Sequence, residues 1–140
     1  PRHPYLATAL LDIERPATEQ GFDLGSFDVV VATNVLHATR DIQRTLRHAK
    51  AVLRPGGWLC INEISRNTLF AHLTFGLLDG WWLARDRELR MPGSPALSPV
   101  AWAHALGACG YAPVAFPAER AHGLGQQVIL ARSDGVLFQP

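Results

Sequence analysis

The sequence predicts an open α/β sheet with helices on both faces, and three observations carry that prediction. Two apolar runs, "FDVVVATNV" (27–35) and "WLCINEI" (58–64), each close on polar residues. A stretch with helical spacing lies between them. Two further apolar runs follow a second helical stretch late in the chain. Such alternation, in 140 residues of which 48% are hydrophobic and 18% charged, fits one compact α/β domain with a real core.

Each element has its own signal. "YLATALLDI" (5–13) reads as a short strand ending at Asp12, and "ERPATEQGFDLGS" after it as a loop broken by Pro16, Gly21 and Gly25. The β-branched run 27–35 reads as a parallel strand covered on both faces. From Thr39 to Leu53, Ile42, Leu46, Ala49 and Leu53 recur at helical spacing, with Arg40, Gln43, Arg44, Arg47, His48 and Lys50 assigned to the solvated face. Thr39 suits the cap, Asp41 the first turn, and "RPGG" the stop, with Gly56 and Gly57 free to take positive φ. Residues 58–64 form the next strand.

"LFAHLTFGLLDGWWL" (69–83) is apolar nearly all round and reads as a buried helix or lid. "RDRELRMPGSPALSP" is a polar, proline-rich excursion. Ser98 caps a helix with Pro99 in its first position, and Gly110 ends it. "YAPVAFP" and "QQVILAR" are two late strands, paired antiparallel, and the tail from Ser133 onward carries little pattern.

Composition narrows the function. The formal net charge is +1, Lys50 is the only lysine, and the arginines are scattered, which disfavours a nucleic-acid surface. The longest apolar stretch contains His72 and Asp79 and is too short for a membrane span. Cys60 and Cys109 are isolated and read as reduced thiols of a cytoplasmic protein. No metal-ligand spacing is present.

In open α/β sheets ligands bind beyond the carboxyl ends of the strands. His37 and Glu63 sit just past the ends of consecutive predicted strands, and neighbouring strands lie about 4.8 Å apart. If the two strands pair, the imidazole and the carboxylate can meet at the ligand-binding edge.

At these residues the sequence becomes specific. "QGFDLGSFDVVVATNVLHATRDIQRTLRHAKAVLRPGGWLCINE" resembles the C-methyltransferase domain of polyketide synthases, and "LTFGLLDGWW" and "PGSPALSP" are similar to the segments that follow it there. The likeness runs from about Leu11 to Ser133. It implies a Rossmann-like class I methyltransferase that uses S-adenosylmethionine and methylates the α-carbon of a β-ketoacyl thioester carried on an acyl carrier protein. It further implies that His37 and Glu63 are the catalytic pair. That chemistry suits the residues. Imidazole changes charge near neutral pH and can remove the acidic α-proton. A carboxylate on its other ring nitrogen fixes the tautomer and balances the imidazolium.

The resemblance also places cofactor contacts. Asp12 and Ile13 fall where such enzymes meet the adenine, although Asp12 also suits the start of a turn. Asn34 either touches the amino-acid end of the cofactor or caps the strand. Trp81 and Trp82 either line the acyl pocket or serve packing. Arg85, Arg87 and Arg90 either meet an acidic carrier protein or belong to a solvated loop. Family members carry a glycine-rich turn after their first strand and an acidic residue ending their second. Neither is found here, and the "GLG" at 123–125 precedes a strand and reads as a turn. The family sheet order, 3-2-1-4-5-7-6, then leaves strands 4, 5, 7 and 6 together, and the truncated sheet is expected to be mostly parallel with a late antiparallel pair. Residues 1–140 are expected to be the carboxyl-terminal portion of a single methyltransferase domain. Its expected partners are the carrier protein and either neighbouring synthase domains or the missing amino-terminal half. Two rival readings are a methyltransferase remnant that only braces neighbouring domains and a small O-methyltransferase.

Overall fold

A computed structural model describes residues 3–137. Four strands form one mixed sheet: β1 (Phe27–Thr33), β2 (Leu53–Ile64), β3 (Tyr111–Ala115) and β4 (Gln126–Ser133). Their order is β1-β2-β4-β3, which matches the run of family strands 4, 5, 7 and 6. β1 and β2 are parallel, while β4 runs antiparallel to both β2 and β3. The expected late antiparallel pair is therefore present, but the sheet is mixed and not mostly parallel, because β4 runs against both its neighbours and the parallel pairing among the described strands is β1 with β2.

Helix α1 (Ile42–Val52) connects β1 to β2, and α3 (Pro99–Ala108) precedes β3. A short helix, α2 (Leu69–Thr74), opens the segment between β2 and α3. Helices α1 and α3 share one core with the sheet. Ile42, Leu46 and Ala49 meet Trp102, Ala105 and Leu106 over Leu59, Ile61, Ile129 and Ala131. Two-residue alternation in β2 puts Leu59, Ile61 and Glu63 on the face those helices cover.

Several expectations change. Residues 5–13 form no strand. Tyr5, Leu6 and Leu10 are exposed, and the segment bonds to a loop and a side chain, Asp12 to Gln20 and the Ile13 carbonyl to His48, and not to a strand. Among the described residues no strand lies beside it to complete a ladder, and an extended segment without a ladder has no reason to register as one. The run 27–35 is covered on one face, not two. Ala32 is buried, but Val29, Val31 and Val35 are exposed, because both long helices pack on the opposite side. Helix α1 starts at Ile42, since residues 36–38 make a separate 3₁₀ turn whose end holds Thr39. Asp41, not Thr39, is the cap, its Oδ1 accepting from the Arg44 N–H at 2.8 Å. The helix ends before "RPGG", which lies inside β2, and of its two glycines only Gly56 has positive φ, at 76°.

The 69–83 segment is also different. It is α2 followed by two 3₁₀ turns, with Leu69, Phe70, Leu73 and Leu77 exposed and Ala71 and Trp81 buried. Ser98 caps α3 as expected, accepting from the Ala101 N–H, and Gly110 follows it at φ 77°. Gly125 makes the turn into β4 at φ 100°. The last residues of the patternless tail lie outside the described range.

Candidate active site

The end of β1 is fixed by its parallel neighbour. Thr33 pairs with Asn62, and the Asn34 N–H donates to the Asn62 carbonyl at 2.8 Å. Asn34 then adopts φ 50°, a left-handed conformation that an asparagine tolerates better than most residues. That reversal turns the chain into the 3₁₀ turn Leu36–Ala38 and directs it over the end of β2.

Glu63 organises the turn. Its Oε1 accepts from the backbone N–H groups of Val35 (3.0 Å), Leu36 (2.8 Å) and His37 (3.4 Å). Its Oε2 lies 2.5 Å from His37 Nδ1. One carboxylate thus holds both the backbone and the ring of the same histidine. Glu63 is 1% and His37 7% exposed, so the pair is shielded from water. Nδ1 of the ring faces the carboxylate. No hydrogen bond among the described residues engages Nε2.

His37 lines a cavity of about 240 Å³ with Asn34, Ile64, Phe75, Leu78 and Trp81. The Trp81 indole meets the His37 ring edge-to-face at 5.9 Å and stacks on Phe75 at 6.4 Å. His72 contacts the same indole at 5.8 Å. Trp81 Nε1 is buried and has no hydrogen-bond partner among the described residues. Trp82 is elsewhere. Its Nε1 donates to the Gly76 carbonyl at 2.9 Å, and its ring borders a second cavity shared with Arg87 and Met91.

The other residues singled out from the sequence divide. Asn34 is exposed at the mouth of the His37 cavity, and no hydrogen bond among the described residues uses its side-chain amide. Asp12 does begin a turn, its Oδ1 accepting from the Glu14 N–H at 3.0 Å. Ile13 packs against the core, and its carbonyl contacts His48 Nδ1 at 2.8 Å. His48 is therefore engaged with the 12–14 segment and is not simply solvated. Glu14 bonds both the backbone N–H and the guanidinium of Arg40, so the 12–14 turn is tied to the loop just beyond His37.

Two charged residues escape the sequence patterns. Arg85 and Arg87 are exposed, but Arg90 is buried. Its guanidinium pairs with Asp86 and reaches the carbonyls of His37 and Thr39. Lys50, assigned to the solvated face of α1, is 2% exposed, and its Nζ lies 2.5 Å from Asp134 and 2.9 Å from the Cys109 carbonyl. Nothing in the local sequence marks either residue, since Arg90 falls in a polar excursion and Lys50 on the polar side of a helical pattern.

With this geometry in place, comparison with known proteins identifies the family. A family model described as a methyltransferase domain matches residues 2–59. The crystal structure of DszA carbon methyltransferase superposes with a TM-score of 0.90 at 42% identity, covering 98% of this chain and 36% of that one. The polyketide synthase PksR of Bacillus subtilis (strain 168) is 52% identical over 139 residues, 99% of this chain.

The chain belongs to the carbon-methyltransferase family of polyketide synthases.

It spans 6% of the length of PksR and about a third of the solved methyltransferases. The trans-methyltransferase CalH, solved in complex with SAH, has a TM-score of 0.72 at 34% identity over 88% of this chain and 34% of that one. The α/β fold of this carbon-methyltransferase family member is accordingly the class I methyltransferase fold, with a four-stranded mixed sheet. No helix among the described residues is long and apolar enough to cross a membrane.

Proposed function

We propose that residues 1–140 are the carboxyl-terminal portion of a single methyltransferase domain that methylates the α-carbon of a β-ketoacyl chain held on an acyl carrier protein. In this reading His37 is the base and Glu63 orients it. The observation that carries it is the His37 Nδ1 to Glu63 Oε2 contact of 2.5 Å at the wall of an apolar cavity.

The chemistry follows from the arrangement. The α-carbon between a ketone and a thioester is acidic, because the enolate spreads its charge over two carbonyls. His37 Nε2 takes the α-proton, and the C–H electron pair passes to the enolate. Glu63 accepts the Nδ1–H bond and balances the imidazolium formed, as an orienting carboxylate does beside other histidine bases. Trp81, Phe75 and Leu78 keep water from the enolate and give an acyl chain an apolar wall. Of the two tryptophans, Trp81 is the better candidate for that wall, and Trp82 belongs to the neighbouring cavity.

S-adenosylmethionine, when bound, supplies an electrophilic methyl group to the nucleophilic carbon. The residues present fit one side of that cofactor. Asn34 offers an unengaged amide at the cavity mouth, and the Asp12–Ile13 turn is held to the loop beyond His37 through Glu14 and Arg40. The CalH complex with SAH supports the same cofactor class. Partners in this reading are the carrier protein and adjoining synthase domains, and the multidomain relatives support the latter.

The test is single-turnover mass spectrometry of the carrier-bound product, made by the intact parent protein. His37→Ala is expected to slow α-methylation by about 10²- to 10⁴-fold, with cofactor affinity unchanged by calorimetry. A wild-type rate for His37→Ala removes the assignment of the base. A remnant that only braces its neighbours predicts no methylated product from the wild type.

A further inference from the structure

We infer that Arg90, locked by Asp86, is a positioning residue that sets the height and tilt of the His37 ring. This rests on the reading of His37 as the base. The sequence placed Arg90 in a polar excursion, yet its guanidinium is buried and every one of its donors is used. Nε donates to Asp86 Oδ1 at 2.8 Å, and Nη2 donates to Asp86 Oδ2 at 3.0 Å. Nη2 also donates to the Thr39 carbonyl at 3.1 Å. Nη1 donates to the carbonyls of His37 at 2.9 Å and Pro95 at 2.8 Å. An arginine side chain has five N–H donors in a rigid planar fork, and all five are satisfied here.

The consequence lies in what the fork grips. Glu63 holds the 35–37 turn by its N–H groups, whereas Arg90 holds the same turn by the carbonyls of His37 and Thr39. His37 is thus clamped along its backbone from both sides. Asp86 extends the clamp, because its Oδ2 also accepts from the Ile42 N–H at 2.7 Å, at the start of α1. The guanidinium therefore references His37 to a helix whose inner face is built into the core. A base must sit within about half an ångström of its productive position, and a displacement near 1 Å costs about 100-fold. Lysine retains the charge but offers a flexible point donor that cannot span three carbonyls and a carboxylate.

The experiment measures single-turnover methyl transfer by the intact parent protein at saturating substrate and cofactor. Arg90→Lys is expected to lower the rate by about 10- to 100-fold, with cofactor affinity unchanged. The discriminating arm repeats the substitution in a His37→Ala background. A residue acting only through His37 leaves the residual rate of that background unaltered. A residue that merely supports the fold lowers both rates by the same factor, and that result overturns the inference, as does a wild-type rate for Arg90→Lys. Should Arg90→Lys lose its cooperative melt, Asp86→Asn decides by the same comparison. It leaves the guanidinium in place but weakens its lock, with an expected loss of about 10-fold that vanishes in the His37→Ala background. If His37→Ala itself proceeds at the wild-type rate, the base assignment falls and this inference with it. If His37→Ala is slow and both clamp variants are normal, only the clamp is wrong.

Discussion

Two polar clusters, each built on a buried charged residue, sit at opposite ends of the sheet. At the carboxyl end of β2, Glu63 and His37 meet under the turn that Arg90 grips from its other side. β4 is antiparallel to β2, with Trp58 opposite Arg132 and Glu63 opposite Gln127, so Asp134 emerges at the amino end. There it meets Lys50, whose ammonium also lies 5.8 Å from the Tyr111 ring. Burial pushes the Cys109 thiol up, against the lowering influence of Arg47 and Lys50, and burial also raises the Tyr111 phenol well above its ordinary value. These groups stay neutral, and their polar atoms are spent on carbonyls. Cys109 Sγ lies 3.4 Å from the Gln43 carbonyl, and the Tyr111 hydroxyl donates to Leu46. At the amino end the named polar groups meet one another or backbone carbonyls, whereas at the carboxyl end His37 lines a cavity and no hydrogen bond among the described residues uses its second ring nitrogen. Burial of charge alone does not mark a site. The proposed site rests instead on a buried pair with one ring nitrogen left over beside a cavity.

The strongest way to break this contrast is Glu63→Ala. It leaves the Leu36 N–H and its neighbours without an acceptor in a buried turn, at about 1–3 kcal/mol for each unmet group. It also frees the His37 ring. Both stability and α-methylation are expected to fall, the latter by at least about 100-fold. Glu63→Gln keeps an acceptor and is expected to lose less on both counts. Combined with His37→Ala, neither change multiplies the loss, because the two residues act as one unit. Thermal melts and single-turnover rates on wild type, the three single variants and the two double variants check this. A Glu63→Ala protein as stable and as fast as wild type would dissolve the distinction between the clusters.

The converse change is Gly110→Ala at the amino end. Gly110 has φ 77°, and an added Cβ would fall on Lys50 Nζ and the Asp134 carboxylate. Left-handed strain of about 1–2 kcal/mol adds to about 1–3 kcal/mol of overpacking. A lower melting temperature is expected, with the methyl-transfer rate unchanged well below the melt. A loss of rate without a loss of stability would mean that the two ends are coupled.

How far the sequence foretold these clusters depends on what kind of signal each residue carries. His37 and Glu63 follow strand ends, and two parallel neighbours that end level bring the residues after them together. Period and register thus sufficed for their approach. The pattern of α1 likewise showed in Ile42, Leu46 and Ala49. Arg90 and Lys50 carry no such signal. Their partners, the carbonyls of His37 and Cys109, lie 53 and 59 residues away and are backbone atoms that every residue possesses. Reading either side chain as solvated follows from its charge, and only the packing of a distant segment shows otherwise. The run "VVVA" misled in another way. β-Branched residues suit a strand whichever faces are covered, so the run predicted β1 correctly but could not say that one face of it stays open. Residues 5–13 show the same limit, since strand propensity without a neighbouring strand gives no strand.

The smallest expected effect is a pH dependence confined to the amino-end cluster. Burial would raise the Asp134 carboxyl, but hydrogen bonds from Lys50 and the Val136 N–H outweigh it and hold the group below its ordinary value. A carboxylate whose folded pKa lies below its unfolded one contributes stability that is fully present above the unfolded pKa. That contribution is lost as pH falls through the folded pKa, where the native state must also take up the proton. The window therefore opens just under pH 4, the ordinary aspartate range, and extends downward. The Asp134 side chain is 38% exposed, so solvent screens the pair and the contribution is about 1 kcal/mol or less. Asp134→Asn removes the titration while its amide still accepts from Val136. Wild type is expected to melt slightly above Asp134→Asn at about pH 6, with the difference shrinking as pH falls below the ordinary aspartate range. A difference that persists unchanged at low pH would show that the Lys50 bond does not depend on the charge of Asp134, and that the amino-end cluster is held by geometry alone.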